Sequence, residues 1–378
     1  MVRVWNKPGV WAIAAFWPIL AAAVPAAQNG SFDDLARRAS DAIETRPAEA
    51  AALYQRALAM RPGWAEGWMY RGAALFELGR FREARDALRK CAALAPGKGT
   101  TVAFIGMAEY ELGDYAQALA DILKGESIGL ADRPAFVAQV RYRGALIYLR
   151  SGNFPQALEQ LRPLARNGIQ TPEAVEALGL SVLNLHFLPA TLPPERHALV
   201  ELAGRAAWAY LAERPEESGP LFEQLGSQFP DEPGVHYMKG VFLIDHDPAA
   251  AEQEFRKELR IAPSHVLARV QLALLLSKDG DADSAVRLAG EAVELDPADA
   301  LCQVTLGRAL LDAGRTAEAI AALEKGEKLA PQAARVHFYL AQAYRRAGRD
   351  ADARKENAVW DRLHAQQEPV ELNAGQKP

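Results

Sequence analysis

The stretch ALCQVTLGRALLDAGRTAEAIAALEKGEKLAP, residues 300–331, holds two helices and the turn between them. Leu301, Val304, Leu306, Ala309 and Leu310 recur at helical spacing, where a half-buried strand would alternate. Gly314 stops the first helix, because glycine takes the left-handed conformation that closes a last turn without a Cβ clash. A second apolar stripe runs through Ala319, Leu323 and Leu329, and Pro331 ends it. The product is a helical hairpin. One hairpin cannot bury its own apolar face, so neighbouring hairpins must stack to build a continuous core.

The same punctuation returns along the chain. Pro62 and Pro96 lie 34 apart, and Pro230, Pro263, Pro297 and Pro331 follow at intervals of 33, 34 and 34. Ala50, Ala84 and Ala118, then Ala285, Ala319 and Ala353, keep the same clock. So do Gly79 and Gly113, and later Gly280, Gly314 and Gly348. A fixed period in this range means a stack of like supersecondary units, which leaves no room for a separate catalytic domain. Gly72, Gly106, Gly240 and Gly307 fall where two helices cross closely, and a larger side chain there would overpack the seam.

These residues resemble the tetratricopeptide (TPR) repeat. Trp68 and Gly72 match in one unit, Ala50, Tyr54, Ala57 and Pro62 in another, then Leu306-Gly307, and Leu340-Ala341 with Tyr344. Arg71 stands where leucine is usual and Gly326 where a second alanine is usual. The resemblance implies an all-α fold, a right-handed superhelical solenoid of antiparallel helix pairs. It does not imply a chemistry, because function lives in sites and not in folds.

Walking the register divides the chain. Residues 1–26 read as a signal peptide and 31–165 as an N-terminal TPR array. Residues 166–198 read as an irregular connection with one helix and a proline-rich loop through Pro189, Pro193 and Pro194. Residues 199–364 form a C-terminal TPR array with a capping helix, and 365–378 a disordered tail. Between Gly113 and Gly152 the spacing rises from 34 to 39, so an insertion of about five residues falls around 126–135.

Arg3 and Lys7, the uncharged apolar run from Val10 to Val24, and the small exit Val24-Pro25-Ala26 have the anatomy of a secretory signal. The expected location is extracytoplasmic, probed against the alternative of an inner-membrane anchor formed by residues 8–27. Membrane contact arises only in that second case. Cleavage after Ala26 removes two basic and no acidic residues, moving the formal charge from −5 to −7. An acidic chain lacks the basic face that nucleic acid requires. Cys91 and Cys302 sit at interior helical positions of distant units and read as free thiols.

The seven histidines include no His-Glu-x-x-His and no pair four residues apart, and two cysteines make no Cys-x-x-Cys pair, so no metal or other cofactor is expected. In Asp245-His246-Asp247-Pro248, Asp247 reads as a helix cap and Pro248 as a first-turn residue. Lys98 in PGKGT lacks the upstream glycines and strand of a phosphate loop. No enzyme is expected.

What remains is surface. The resembled family lines a concave groove with the second, fifth, ninth and twelfth residues of each first helix, and the groove holds an extended peptide. Here the fifth position reads Tyr237, Val270, Val304 and Phe338, and the ninth Val241, Leu274, Arg308 and Gln342. Arg335, Arg345 and Arg346 add charge at the C-terminal end. The lysine and asparagine that the family's chaperone-tail receptors place at the fifth and ninth positions occur in no unit. The expected function is a non-enzymatic scaffold or adaptor of the cell envelope that binds a protein or peptide on the C-terminal array. The alternative is an accessory subunit that positions substrate for an envelope enzyme acting on polysaccharide or protein.

Overall fold

The computed structural model describes residues 30–131 and 133–367. The proposed signal segment and the end of the tail lie outside these residues. The described chain is all-helical, with nineteen α-helices and two short 3-10 turns. Successive helices pack as hairpins: α1 (Phe32–Ala42) with α2 (Pro47–Met60), α3 (Ala65–Glu77) with α4 (Phe81–Leu94), α5 (Gly99–Glu111) with α6 (Tyr115–Ile128), and α7 (Pro134–Arg150) with α8 (Phe154–Arg166). Next come α9 (Pro172–Val182) with α10 (His197–Leu211), then α11 (Pro215–Gln228). The last four pairs are α12 (Val235–Leu243) with α13 (Pro248–Ile261), α14 (Val266–Lys278) with α15 (Ala282–Leu295), α16 (Ala300–Asp312) with α17 (Thr316–Leu329), and α18 (Ala334–Arg346) with α19 (Asp350–Gln367). Two compact units part between Leu221 and Phe222, inside α11. Each is a helical solenoid. Among the described residues no helix is long and apolar enough to cross a membrane.

The pair α16–α17 shows how the repeat works. Gly314 has φ +74°, and the turn is closed by Arg315 N–H donating to the Leu310 carbonyl at 2.8 Å. A Cβ on Gly307 would meet Leu323 Cγ at 2.4 Å, so glycine is what lets the two helices cross. Leu310, Leu311, Ala319 and Leu323 then join Val336 and Leu340 of the next pair in one buried cluster. Gly72, Gly106 and Gly240 have the same restriction in their own pairs, as the spacing predicts. Asp247 accepts from Ala250 N–H and Pro248 opens α13, also as expected. Both cysteines are buried free thiols.

A second regularity was not legible as a motif. After four of the closing prolines, Pro62, Pro230, Pro263 and Pro331, the residue six places on meets that proline's carbonyl, an acceptor stranded between two helices. Trp68 Nε1 donates to Pro62 O at 2.8 Å, His236 Nε2 meets Pro230 O at 2.8 Å, and His337 Nε2 meets Pro331 O at 2.9 Å. Arg269 donates to Pro263 O in the same way. Tryptophan, histidine and arginine share a long side chain ending in N–H, which is all the position requires.

At His236 the surroundings move the ring's proton affinity. Its Nδ1 lies 2.5 Å from Glu254 Oε2, and Lys257 and Lys239 lie 2.9 and 3.5 Å from Glu254 Oε1. The hydrogen bond to Glu254 holds the imidazole's pKa above its usual 6.5 against the pull of burial. Burial pushes Glu254 upward, but His236 and the two lysines bring it down to about 2. The raised histidine contributes stability that is fully present below 6.5 and lost as pH rises through its folded value. The depressed carboxylate contributes stability present above 4.5 and lost as pH falls toward about 2. His265, which burial pushes down, titrates in parent and variant alike and cancels in their difference. The stability cost of His236→Gln should therefore be largest between these limits, near about pH 5.5, and shrink by about pH 9. Urea denaturation at both values checks it; a cost that grows with pH contradicts the charged pairing.

The structure also shows what the breaks in register do. The insertion falls in a connector whose described residues are Gly129, Leu130, Ala131 and Arg133, and in an extended α7 of 17 residues, where α5 has 13. Ala131 N–H donates to Thr100 Oγ1 at 2.8 Å, folding the connector onto the start of α5. The proline-rich loop, with 3-10 turns at Pro189–Thr191 and Pro194–Arg196, joins two helices that pack on each other, α9 and α10. The single helix read as part of an irregular connection is thus one arm of a hairpin within the first unit. At the C-terminal end α19 continues to Gln367, so residues 365–367, read as tail, are helical.

Candidate functional site

The first helices of three consecutive pairs, α14, α16 and α18, frame a cavity of about 410 Å³. Gln271 and Leu274 come from α14, Leu301, Val304, Thr305 and Arg308 from α16, and Arg335 and Tyr339 from α18. Each helix places these residues on one stripe because positions three and four apart share a face. Arg308 lies over the Tyr339 ring, its guanidinium carbon 5.9 Å from the centroid, and its Nε is 3.9 Å from Asp312 Oδ2. Arg335 is exposed and has no ion-pair partner among the described residues. The Thr305 hydroxyl donates to the Leu301 carbonyl at 2.8 Å and is occupied within its own helix. The lining offers hydrocarbon, one aromatic ring, the Gln271 amide and two guanidinium groups. That set recognises; it does not supply a nucleophile with an adjacent base.

Of the sequence-predicted site residues, Leu274, Val304, Arg308 and Arg335 come together here. Val270 does not: it is fully buried beside Ala292 and Cys302, so it is corrected to a core residue. Tyr237 and Val241 pack on the core of α13 and α14, with Tyr237 6.0 Å from Phe255 and 4.7 Å from His265 between ring centroids. Phe338 is 39% exposed but turns to Trp360 of α19, 5.9 Å away, and its neighbour Tyr339 forms the wall instead. Arg346 donates to the Leu311 carbonyl, tying α18 to the end of α16. Gln342 is half-buried and Arg345 exposed, both outside the lining. Sequence reasoning missed the sixth position of each first helix, occupied by Gln271, Thr305 and Tyr339. In the three units that frame the cavity the fifth position is apolar, as a core position would be, while the sixth is polar or amphipathic; in α12 the sixth is the buried Met238.

Glu327, His337 and Glu356 offer ligand atoms within 4.8 Å of one another. Yet His337 Nδ1 meets Glu356 at 2.7 Å and Nε2 meets the Pro331 carbonyl, so both ring nitrogens are engaged by oxygen acceptors. The group is a latch between α17, α18 and α19.

Family models described as tetratricopeptide repeat match residues 65–98, 142–183 and 304–368. Among curated proteins no match is found. Among solved structures, "MamA 41-end from Desulfovibrio magneticus RS-1" is 21% identical with TM-score 0.41, covering 46% of this chain and 98% of that one. "MamA RS-1 ArsTM double mutant" is likewise 21% identical with TM-score 0.41, over 46% and 97%. "MamA AMB-1 C2221" is 24% identical with TM-score 0.36, over 44% and 98%.

Proposed function

We propose that this protein is an exported, non-enzymatic scaffold that holds an extended acidic segment of a partner protein across α14, α16 and α18. The observation that carries the reading is the pair Arg308 and Arg335 facing one cavity beside Tyr339, in a chain of net charge −5. An extended segment presents alternate side chains, which suits a groove whose polar groups come from separate helices. Desolvated aromatic and arginine side chains tend to carry most of the binding energy, whereas rim charges steer the encounter. The matched tetratricopeptide repeats support a protein ligand, and the apolar N-terminal run supports export.

Fluorescence anisotropy with acidic and basic peptide pools of equal length tests this. The acidic pool should bind, and the double variant Arg308→Glu, Arg335→Glu should weaken binding by about tenfold or more. Added salt should lower the on-rate more than it raises the off-rate. Equal binding of both pools, or an unaffected double variant with an intact thermal transition, removes this groove from the account. Export has its own check. The N-terminal mass of the secreted or membrane-extracted protein should begin after Ala26, and an intact Met1 end in soluble cytoplasm contradicts it.

A further inference from the structure

We propose that Glu327, His337 and Glu356, the latch between α17, α18 and α19, hold a divalent transition-metal ion of the Zn2+ class. Each residue brings a donor atom within 4.8 Å of the other two. They lie ten and nineteen positions apart on three helices, so no sequence spacing announces them. The imidazole sets the requirement. His337 is 3% exposed, and its Nε2 faces the Pro331 carbonyl at 2.9 Å. A carbonyl only accepts, so Nε2 carries the proton and Nδ1 is left with the lone pair. That nitrogen meets Glu356 Oε2, a second acceptor, at 2.7 Å. Two lone pairs hold that distance only with a positive centre between them. A second proton on the ring is one such centre; a metal ion is the other. Metal-bound histidines characteristically have their remaining N–H fixed by an acceptor such as a backbone carbonyl, as His337 does.

The equivalent histidine in the pair α12–α13 shows what distinguishes this site. His236 also faces a proline carbonyl and a glutamate, but Glu254 has Lys257 and Lys239 beside it, so that carboxylate is already compensated by fixed cations. At His337 the third group is a second carboxylate, Glu327, and among the described residues no lysine or arginine pairs with it or with Glu356. One imidazolium leaves that group with a net negative charge, whereas a divalent ion on the neutral ring balances both carboxylates. A set of one imidazole and two carboxylates suits first-row divalent metals over Mg2+ or Ca2+, which take oxygen ligands. Bonds of about 2.0–2.1 Å place the donors of a tetrahedral shell about 3.3 Å apart. The His337–Glu356 contact is 2.7 Å and all the donor atoms lie within 4.8 Å, so small rotations of two half-buried glutamates form the shell, with water as the fourth ligand. Such an ion pins the last helix, α19, to the two before it.

Titration calorimetry of the untagged, chelator-treated full-length chain with ZnCl2 reads the proposal. Zn2+ should bind saturably at about one per chain, and Mg2+ about tenfold or more weakly. Glu327 takes no part in the latch hydrogen bonds, so Glu327→Gln removes a ligand and leaves the latch standing. It should weaken Zn2+ by about tenfold or more without lowering the thermal midpoint of the metal-free chain. His337→Gln should lose the site and His236→Gln should keep it, with circular dichroism confirming that each variant folds. Co2+ adds a spectroscopic arm: the visible bands of tetrahedral coordination should appear in the parent and fade in Glu327→Gln. Hydrogen exchange in α19 should slow when Zn2+ is added. Absent Zn2+ binding, Mg2+ of equal affinity, or binding indifferent to both Glu327→Gln and His337→Gln overturns the assignment and leaves a second proton as the bridge.

Discussion

Gly204→Leu is expected to be the most damaging single change in the first unit. A Cβ at Gly204 would sit 2.1 Å from the Val175 carbonyl oxygen, and one at Gly179 would sit 2.0 Å from the Val200 carbonyl oxygen. The two glycines form a reciprocal contact in which each helix presses on the other's backbone. A flexible side chain can swing aside, but a helical carbonyl cannot, so α9 and α10 must separate to admit even a methyl group. Overpacking of this kind costs roughly 1–3 kcal/mol and occasionally more, and a backbone collision falls at the upper end. The damage should concentrate in α8 to α10, since a stack couples nearest neighbours. Gly290→Ala is the control: nothing lies within 4 Å of its Cβ position, and alanine is the better helix former by about 1 kcal/mol. Hydrogen exchange that accelerates evenly through the chain, or a Gly204→Leu variant as stable as the parent, contradicts the close crossing.

Glu258→Ala should have a comparable effect in the second unit. The carboxylate is fully buried and accepts from Gly234 N–H at 2.8 Å and Tyr237 N–H at 3.1 Å, two of the donors left open at the start of α12. Alanine strands both. An unsatisfied buried donor costs roughly 1–3 kcal/mol, so the loss should exceed that of an ordinary surface change several times over. Glu258→Gln keeps an acceptor oxygen and should fall between parent and Glu258→Ala. Exchange rates at the Gly234 and Tyr237 amides report the mechanism directly. If glutamine and alanine destabilise equally, or those amides remain protected, the capping role is wrong.

The hairpin repeat was legible because glycine, alanine and proline each have a backbone or packing reason to recur, and those reasons act within one unit. Gly314, Gly307 and Ala319 illustrate three such reasons in a single pair. Pairings across a loop of irregular length were less legible. Nothing local in Pro189, Pro193 and Pro194 says that the helices on either side will meet; Gly179 and Gly204 say so only once their partner carbonyls are known. The candidate groove followed the same division. Leu274, Val304 and Arg308 came from the groove positions that the tetratricopeptide resemblance implies and Arg335 from the charge at the C-terminal end, whereas Val270 and Phe338, taken from the same positions, were misplaced by the rotation of each helix about its axis. A one-residue difference in that rotation exchanges Phe338 for Tyr339 in the wall.

The measurement that bears most directly on the central claim is site-specific photocrosslinking of a bound acidic peptide. Benzoylphenylalanine placed at Tyr339 faces the groove; the same probe placed at Lys325, on the exposed side of α17, does not. The account predicts a crosslink from position 339 that Arg335→Glu diminishes, and none from position 325. Capture from position 325 with none from position 339 would contradict it.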